Sequence, residues 1–149
     1  MGYTGDFDSE RMARAYGKEM KISPRHSVEI CNTIRGMHVL GAKDLLEAVM
    51  EKREPITFRR YNKCVPHQKT SKGPGRFPVK ASKFILGVIE SAQANAERSG
   101  MDSEDMRIVT AAASKGRVTR GYMPRAHGRW ESFDEETTNV EIILEILED

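Results

Sequence analysis

"GYMPRAHGRW", residues 121–130, sits between two runs that alternate like β-strands. Three of its ten residues are Gly or Pro, two are Arg, two are aromatic, and none is acidic. Upstream, Met106, Ile108, Thr110 and Ala112 alternate with Arg107, Val109, Ala111 and Ala113. Downstream, Val140, Ile142, Leu144 and Ile146 alternate with Glu141, Ile143, Glu145 and Leu147. The first set of each run is expected to face a core; the downstream second set carries acids and is expected at an edge. Residues 114–139 between them are too polar to bury and too alternating for a simple loop: Arg117-Val118-Thr119-Arg120 on one side, Trp130-Glu131-Ser132-Phe133 on the other. The pattern predicts a hairpin turning near Pro124 to Gly128. At roughly 3.3 Å per residue its arm, from Ser114 to the tip, is about 30 Å long. A chain of this length folds to a radius of gyration of about 15 Å. An isolated two-stranded ribbon is only marginally stable in water, so this arm needs a surface outside the protein.

Residues 1–11 read as loosely ordered; Met12 to Ile22 is ambiguous, with Tyr16, Met20 and Ile22 allowing a short strand with polar alternates. Ser23-Pro24 predicts a helix start, with Ser as N-cap and Pro in the first turn. Val28, Ile30, Cys31 and Ile34 supply its apolar stripe, and Gly36 closes it. A second helix is expected over about 41–51, where Ala42, Leu45, Leu46, Val49 and Met50 keep helical spacing. The period then stops. Residues 52–78, "KREPITFRRYNKCVPHQKTSKGPGRFP", hold four prolines, and a connection this long in a small domain tends to be functional. A third helix follows Pro78, with Ala81, Phe84, Ile85, Val88, Ile89, Ala92 and Ala96 on one face and Gly100 at its end. Its alanines (Ala92, Ala94, Ala96) allow close approach of another element.

The 149 residues suit one domain, with a net charge of only +2. The distribution says more than the sum. Residues 52–83 carry ten Lys or Arg against one acid, Glu54. Residues 115–130 carry five and no acid, and residues 131–149 carry eight acids and no Lys or Arg. A field segregated in this way fits a polyanion partner; the plainer alternative is a solvated charged face. No apolar run reaches membrane-span length. The polar, acidic N-terminus shows no secretory pattern, and Cys31 and Cys64 read as reduced thiols of a cytosolic protein.

Enzyme patterns are weak. His26, His38, His67 and His127 are scattered, and Cys64 with His67 is half of a metal spacing without its second half. "KGPGR", residues 72–76, lacks the Gly-Lys-Ser/Thr of a P-loop and reads as a flexible basic turn. No cofactor and no catalytic or metal site is expected. RNA-binding patterns are stronger. Arg59, Arg60, Lys63, Lys69, Lys72 and Arg76 are interleaved with Phe58, Tyr61, His67 and Phe77, so that planar groups can stack on unpaired bases while cations contact phosphates. Arg120, Tyr122, Arg125, His127, Arg129 and Trp130 repeat the mixture at the arm tip, although Trp130 also fits a packing anchor across the ribbon.

"ISPRHSVEICNTIRGM", "ASKFILGVIESAQANAE" and "MPRAHGR" together resemble the universal large-subunit ribosomal protein twenty-two family, over nearly the whole chain and in order. Residues 52–78 resemble the archaeal and eukaryotic version, because the bacterial one passes more directly between the second and third helices. The resemblance implies an α+β fold, three helices on a three-stranded antiparallel sheet with a long protruding hairpin. It implies a body of about 12–113 and 138–149, a basic insertion of about 52–78 and a hairpin of about 114–137. It also implies binding to large-subunit rRNA beside neighbouring ribosomal proteins, in the cytoplasm and away from membranes. RNA contacts then fall to Arg25 (with His26 beside it), Arg59, Arg60, Lys63, Lys69, Lys72, Arg76, Lys80, Lys83, Lys115, Arg117, Arg120 and Arg129. Tyr122, Met123, Pro124, Arg125, Ala126, His127 and Gly128 become the hairpin tip at the exit tunnel, facing the nascent peptide. The tail departs from this basic pattern, leaving Arg129 as the last expected RNA contact and the sheet near Glu141 and Glu145 facing solvent or a basic neighbour. The rival reading is an RNA-binding module that works outside ribosomes.

Overall fold

The computed structural model describes residues 3–5, 7–102 and 105–147. In chain order they form β1 (Met12–Met20), α1 (Pro24–Ile34), α2 (Val39–Met50), β2 (Ile56–Thr57), β3 (Gly75–Arg76), α3 (Val79–Arg98), β4 (Met106–Thr119), β5 (Tyr122–Pro124), β6 (Trp130–Ser132) and β7 (Glu135–Ile146). The fold is α+β. A three-stranded antiparallel sheet, ordered β1-β7-β4, carries three helices, and a long hairpin leaves one end of it.

β7 lies in the middle of the sheet, so its acids are not at an edge. Val140, Ile142 and Leu144 point into the core with Ile30, Ile34, Ile85, Ile89 and Leu46, all almost fully buried. The alternate residues are covered too: Ile143 is 0% exposed and Glu141 6%. Their cover is the N-terminal segment expected to be loose. The Thr4 amide donates to both carboxylate oxygens of Glu141 at 3.2 Å. The Arg14 guanidinium lies 4.7 Å from the Tyr3 ring and 4.3 Å from that of Phe7, and Tyr3 meets Tyr16 edge-on. Met1, Gly2 and Asp6 lie outside the described residues. Glu145 pairs with Arg107 at 2.7 Å. Neither acid therefore presents a free carboxylate to a neighbour, because each is already engaged within the protein.

β4 departs from simple alternation. A bulge between Ile108 and Thr110 shifts its register, so Met106 and Ile108 are buried and Ala111 follows them, in place of Thr110 and Ala112. Residues 36–38 cover the start of its edge, with the Gly36 amide donating to Ile108 O at 2.7 Å and the Ile108 amide to Met37 O at 2.9 Å.

The helices form where the apolar spacing places them. Ser23 begins α1 through its backbone: its side chain makes no cap bond, and its carbonyl accepts from the Ser27 amide and hydroxyl. His38 caps α2, its Nδ1 accepting from the Leu40 amide at 3.3 Å. α3 runs 20 residues before Gly100, whose φ of +80° suits glycine alone without strain. Ala92 and Ala96 are fully buried, which lets α3 sit close on β1, whereas Ala94 and Phe84 face outward, Phe84 at 41% exposure. A helical face narrower than the run of apolar residues accounts for Phe84.

Candidate nucleic-acid interface

The ribbon departs from the body at a definite place. Met20↔Thr138 is the last pair between β1 and β7; beyond it β7 pairs with β4 alone. A second bulge, between Lys115 and Val118, falls at the same point, where the Thr137 hydroxyl donates to Arg117 O at 2.7 Å. The pairing then continues as Tyr122↔Ser132, Met123↔Glu131 and Pro124↔Trp130. Gly121 makes the transition possible, because a Cβ there would overlap the Phe133 carbonyl oxygen, which faces it across the ribbon. Residues 125–129 form the tip, closed by the Arg125 amide donating to Arg129 O at 2.8 Å, with His127 and Gly128 in the left-handed region. The hairpin is thus built as its alternation predicts. From Pro124 to Glu136 every residue is exposed.

The ribbon's cations are less free than the sequence implies. Acids of the returning strand engage two of them, Lys115 pairing with Glu136 at 2.6 Å and Arg125 with Glu131 at 2.7 Å, while Glu135 reaches Lys21 of the body at 3.8 Å. Antiparallel pairing folds the acidic stretch back onto the basic one, which a count along the chain cannot register. Arg117, Arg120 and Arg129 have no carboxylate partner among the described residues. Tyr122 and Trp130 meet edge-on with ring centres 4.8 Å apart, yet remain 66% and 64% exposed. Trp130 is both a cross-ribbon anchor and an open aromatic surface.

The second basic region is tied down by one buried acid together with two core side chains. Glu29, in the apolar stripe of α1, is 1% exposed. Its carboxylate accepts from three consecutive amides: Arg59 at 3.1 Å, Arg60 at 2.8 Å and Tyr61 at 2.7 Å. Ile56 and Phe58 enter the core, so Phe58 is no stacking platform for bases. β2 and β3 pair, and the Gly75 amide donates to Pro66 O at 3.0 Å, closing the loop on itself.

This clasp brings Arg25, Arg60, Lys63 and Arg76 around a cleft of about 380 Å³, with His26, Tyr61 and Asn62 in its lining. Among the described residues no acid lines it. The His26 ring lies edge-on to Phe58 at 5.4 Å, and burial, followed by the Arg76 charge, holds its pKa below the ordinary 6.5. Buried Cys31 has its thiol pushed up to about 12 by desolvation, which makes it an inert core residue. Lys80 stands apart, across a second cleft from Asp134, Glu135 and Glu136 at the ribbon base. Arg59, Lys69, Lys72 and Lys83 are exposed but line neither cleft. Glu29 and Asn62 had no place in the sequence reading; an acid inside an apolar helical stripe was the available signal for Glu29.

The protein is thus a small α+β body bearing an exposed ribbon of mixed charge and a second, clasped basic loop. Residues 15–145 match the family Ribosomal protein L22p/L17e, and the chain belongs to that family. It is 47% identical over 143 residues to the large ribosomal subunit protein uL22 of Methanopyrus kandleri, covering 94% of this chain and 90% of that one. It is 46% identical to the protein of the same name from Methanosphaera stadtmanae (91% and 89% covered) and 44% identical to that of Archaeoglobus fulgidus (93% and 91%).

Proposed function

We propose that this chain is a structural constituent of the large ribosomal subunit in the cytoplasm, binding large-subunit rRNA through its two basic regions, with the ribbon tip forming part of the nascent-peptide exit tunnel. In this reading the chain acts as one unit: a body of about 12–113 and 138–149, an insertion of about 52–78 that grips RNA, and a hairpin of about 114–137 that reaches inward. No catalytic role is assigned. Residues 103–104 and 148–149 lie outside the described residues.

One observation carries the proposal: the ribbon extends past the last β1 pair with every residue from Pro124 to Glu136 exposed. Two aromatics project from it, with three arginines that have no carboxylate partner among the described residues. A ribbon without a core of its own is stabilised by an external surface. RNA supplies phosphates for Arg117, Arg120 and Arg129 and stacking partners for Tyr122 and Trp130.

A photo-crosslinker replacing Arg125 tests both parts. Crosslinks to large-subunit rRNA and to nascent chains are expected; crosslinks confined to the subunit exterior refute the placement. Replacing Tyr122 to His127 with a short Gly-containing turn is expected to leave incorporation into large subunits intact, since binding is spread over many phosphates, while altering arrest on stalling peptides. Loss of the protein from subunits after a high-salt wash would favour a module that acts outside the ribosome.

A further inference from the structure

The cleft beneath Tyr61 has a chemistry that phosphate binding alone does not use. Four cations face it without an acid in its lining, and none of the four has a carboxylate partner among the described residues. Glu29, which ties the loop to α1, is buried and accepts from three backbone amides, and it is not among the residues lining the cleft. Arg25 and Arg60 stand 5.8 and 5.5 Å from the centre of the half-buried Tyr61 ring. The exposed Asn62 amide adds a donor and an acceptor beside that ring. The volume, about 380 Å³, lies at the lower end of the range for small-ligand sites.

We infer that this cleft captures a single unpaired nucleotide of RNA, its base stacked among Tyr61 and the Arg25 and Arg60 guanidiniums and its flanking phosphates held by Lys63 and Arg76. The inference rests on the RNA-binding reading above and deepens it. Duplex RNA hides its base faces and offers phosphates and sugar edges. A recessed ring flanked by cations is accessible only to a base outside the stack. The exposed Lys69 and Lys72, by contrast, suit either form.

The full chain would be titrated with a short oligoadenylate and with an RNA duplex of equal length, following His26 and Asn62 resonances by NMR. The oligoadenylate is expected to shift both resonances while the duplex leaves them in place. Tyr61→Leu should weaken oligoadenylate binding by about fivefold or more, the loss of one stacked base, with duplex binding unchanged. Tyr61→Phe should retain it. Equal effects of Tyr61→Leu on both probes, or wild-type shifts confined to residues 115–135, would overturn the nucleotide site while leaving RNA binding in place. Failure of both probes to bind the wild-type chain would overturn the RNA-binding reading and this inference with it.

Discussion

A buried carboxylate is tolerated only when it is hydrogen-bonded, and Glu29 accepts from the amides of residues 59–61. Glu29→Ala leaves three donors without their acceptor. A destabilisation of about 1–3 kcal/mol is expected, because the loop exposes part of that backbone to water. Urea denaturation of the isolated chain measures it, and an unchanged midpoint would show that the loop is held by Ile56 and Phe58 alone. His26 gives a pH dependence of definite sign. Above its ordinary value of 6.5 both folded and unfolded forms are neutral, so it contributes nothing. As pH falls through 6.5 the unfolded chain takes the proton first, and stability declines until the lowered folded value is reached. Denaturation midpoints should therefore drop on acidification from about pH 8 towards pH 5. His26→Gln should drop less; identical pH profiles would contradict the assignment.

The ribbon exists because period-2 alternation continues through residues too polar for a core, and its geometry depends on Gly121. Gly121→Ala places a methyl group against the Phe133 carbonyl, and backbone on both sides has no flexible end to move. The pairing Tyr122↔Ser132 and the bond from the Phe133 amide to Gly121 O, 2.7 Å, should open. Amide exchange at Phe133 is then expected to speed up and the Tyr122–Trp130 ring contact to disappear from NMR spectra, while core amides such as Ile142 stay protected. Protection unchanged at Phe133 would mean that the ribbon absorbs the methyl group by twisting. The loop of residues 56–76 behaves differently. It looks like a mobile connection in sequence, but two core side chains and one carboxylate tie it to α1. Proteases should accordingly cut between Arg117 and Arg129 before they cut between Lys69 and Arg76.

Over the whole molecule the near-neutral net charge conceals a division of surface. The body offers the cleft cations and the exposed Lys69 and Lys72, while the ribbon offers Arg117, Arg120 and Arg129 after its internal ion pairs are discounted. If each region neutralises phosphates, RNA affinity falls steeply with salt. Changing Lys69, Lys72 and Arg76 together to Ala should flatten the log–log slope by about 0.7–0.9 for every phosphate no longer neutralised. An equal slope with equal affinity would identify that segment as a solvated loop.

The sequence by itself determined the three helices, the two long strands and the ribbon, since each is written in a local period: Leu46 and Val49 at helical spacing, Ile142 and Leu144 at every second residue. It also determined the family and the basic character of the candidate interface. Tertiary structure decided what local pattern cannot encode. Strand order put β7 at the centre, and the segment carrying Tyr3, Thr4 and Phe7 closed over Glu141 and its neighbours. A single bulge after Ile108 handed a core position from Thr110 to Ala111. Long-range pairing set Glu131 and Glu136 against the ribbon's own cations, and Glu29, about thirty residues away in sequence, turned a proline-broken segment into a cleft. Hydrophobic period is a property of neighbours along the chain, whereas charge neutralisation and the satisfaction of buried polar groups depend on which distant segments meet.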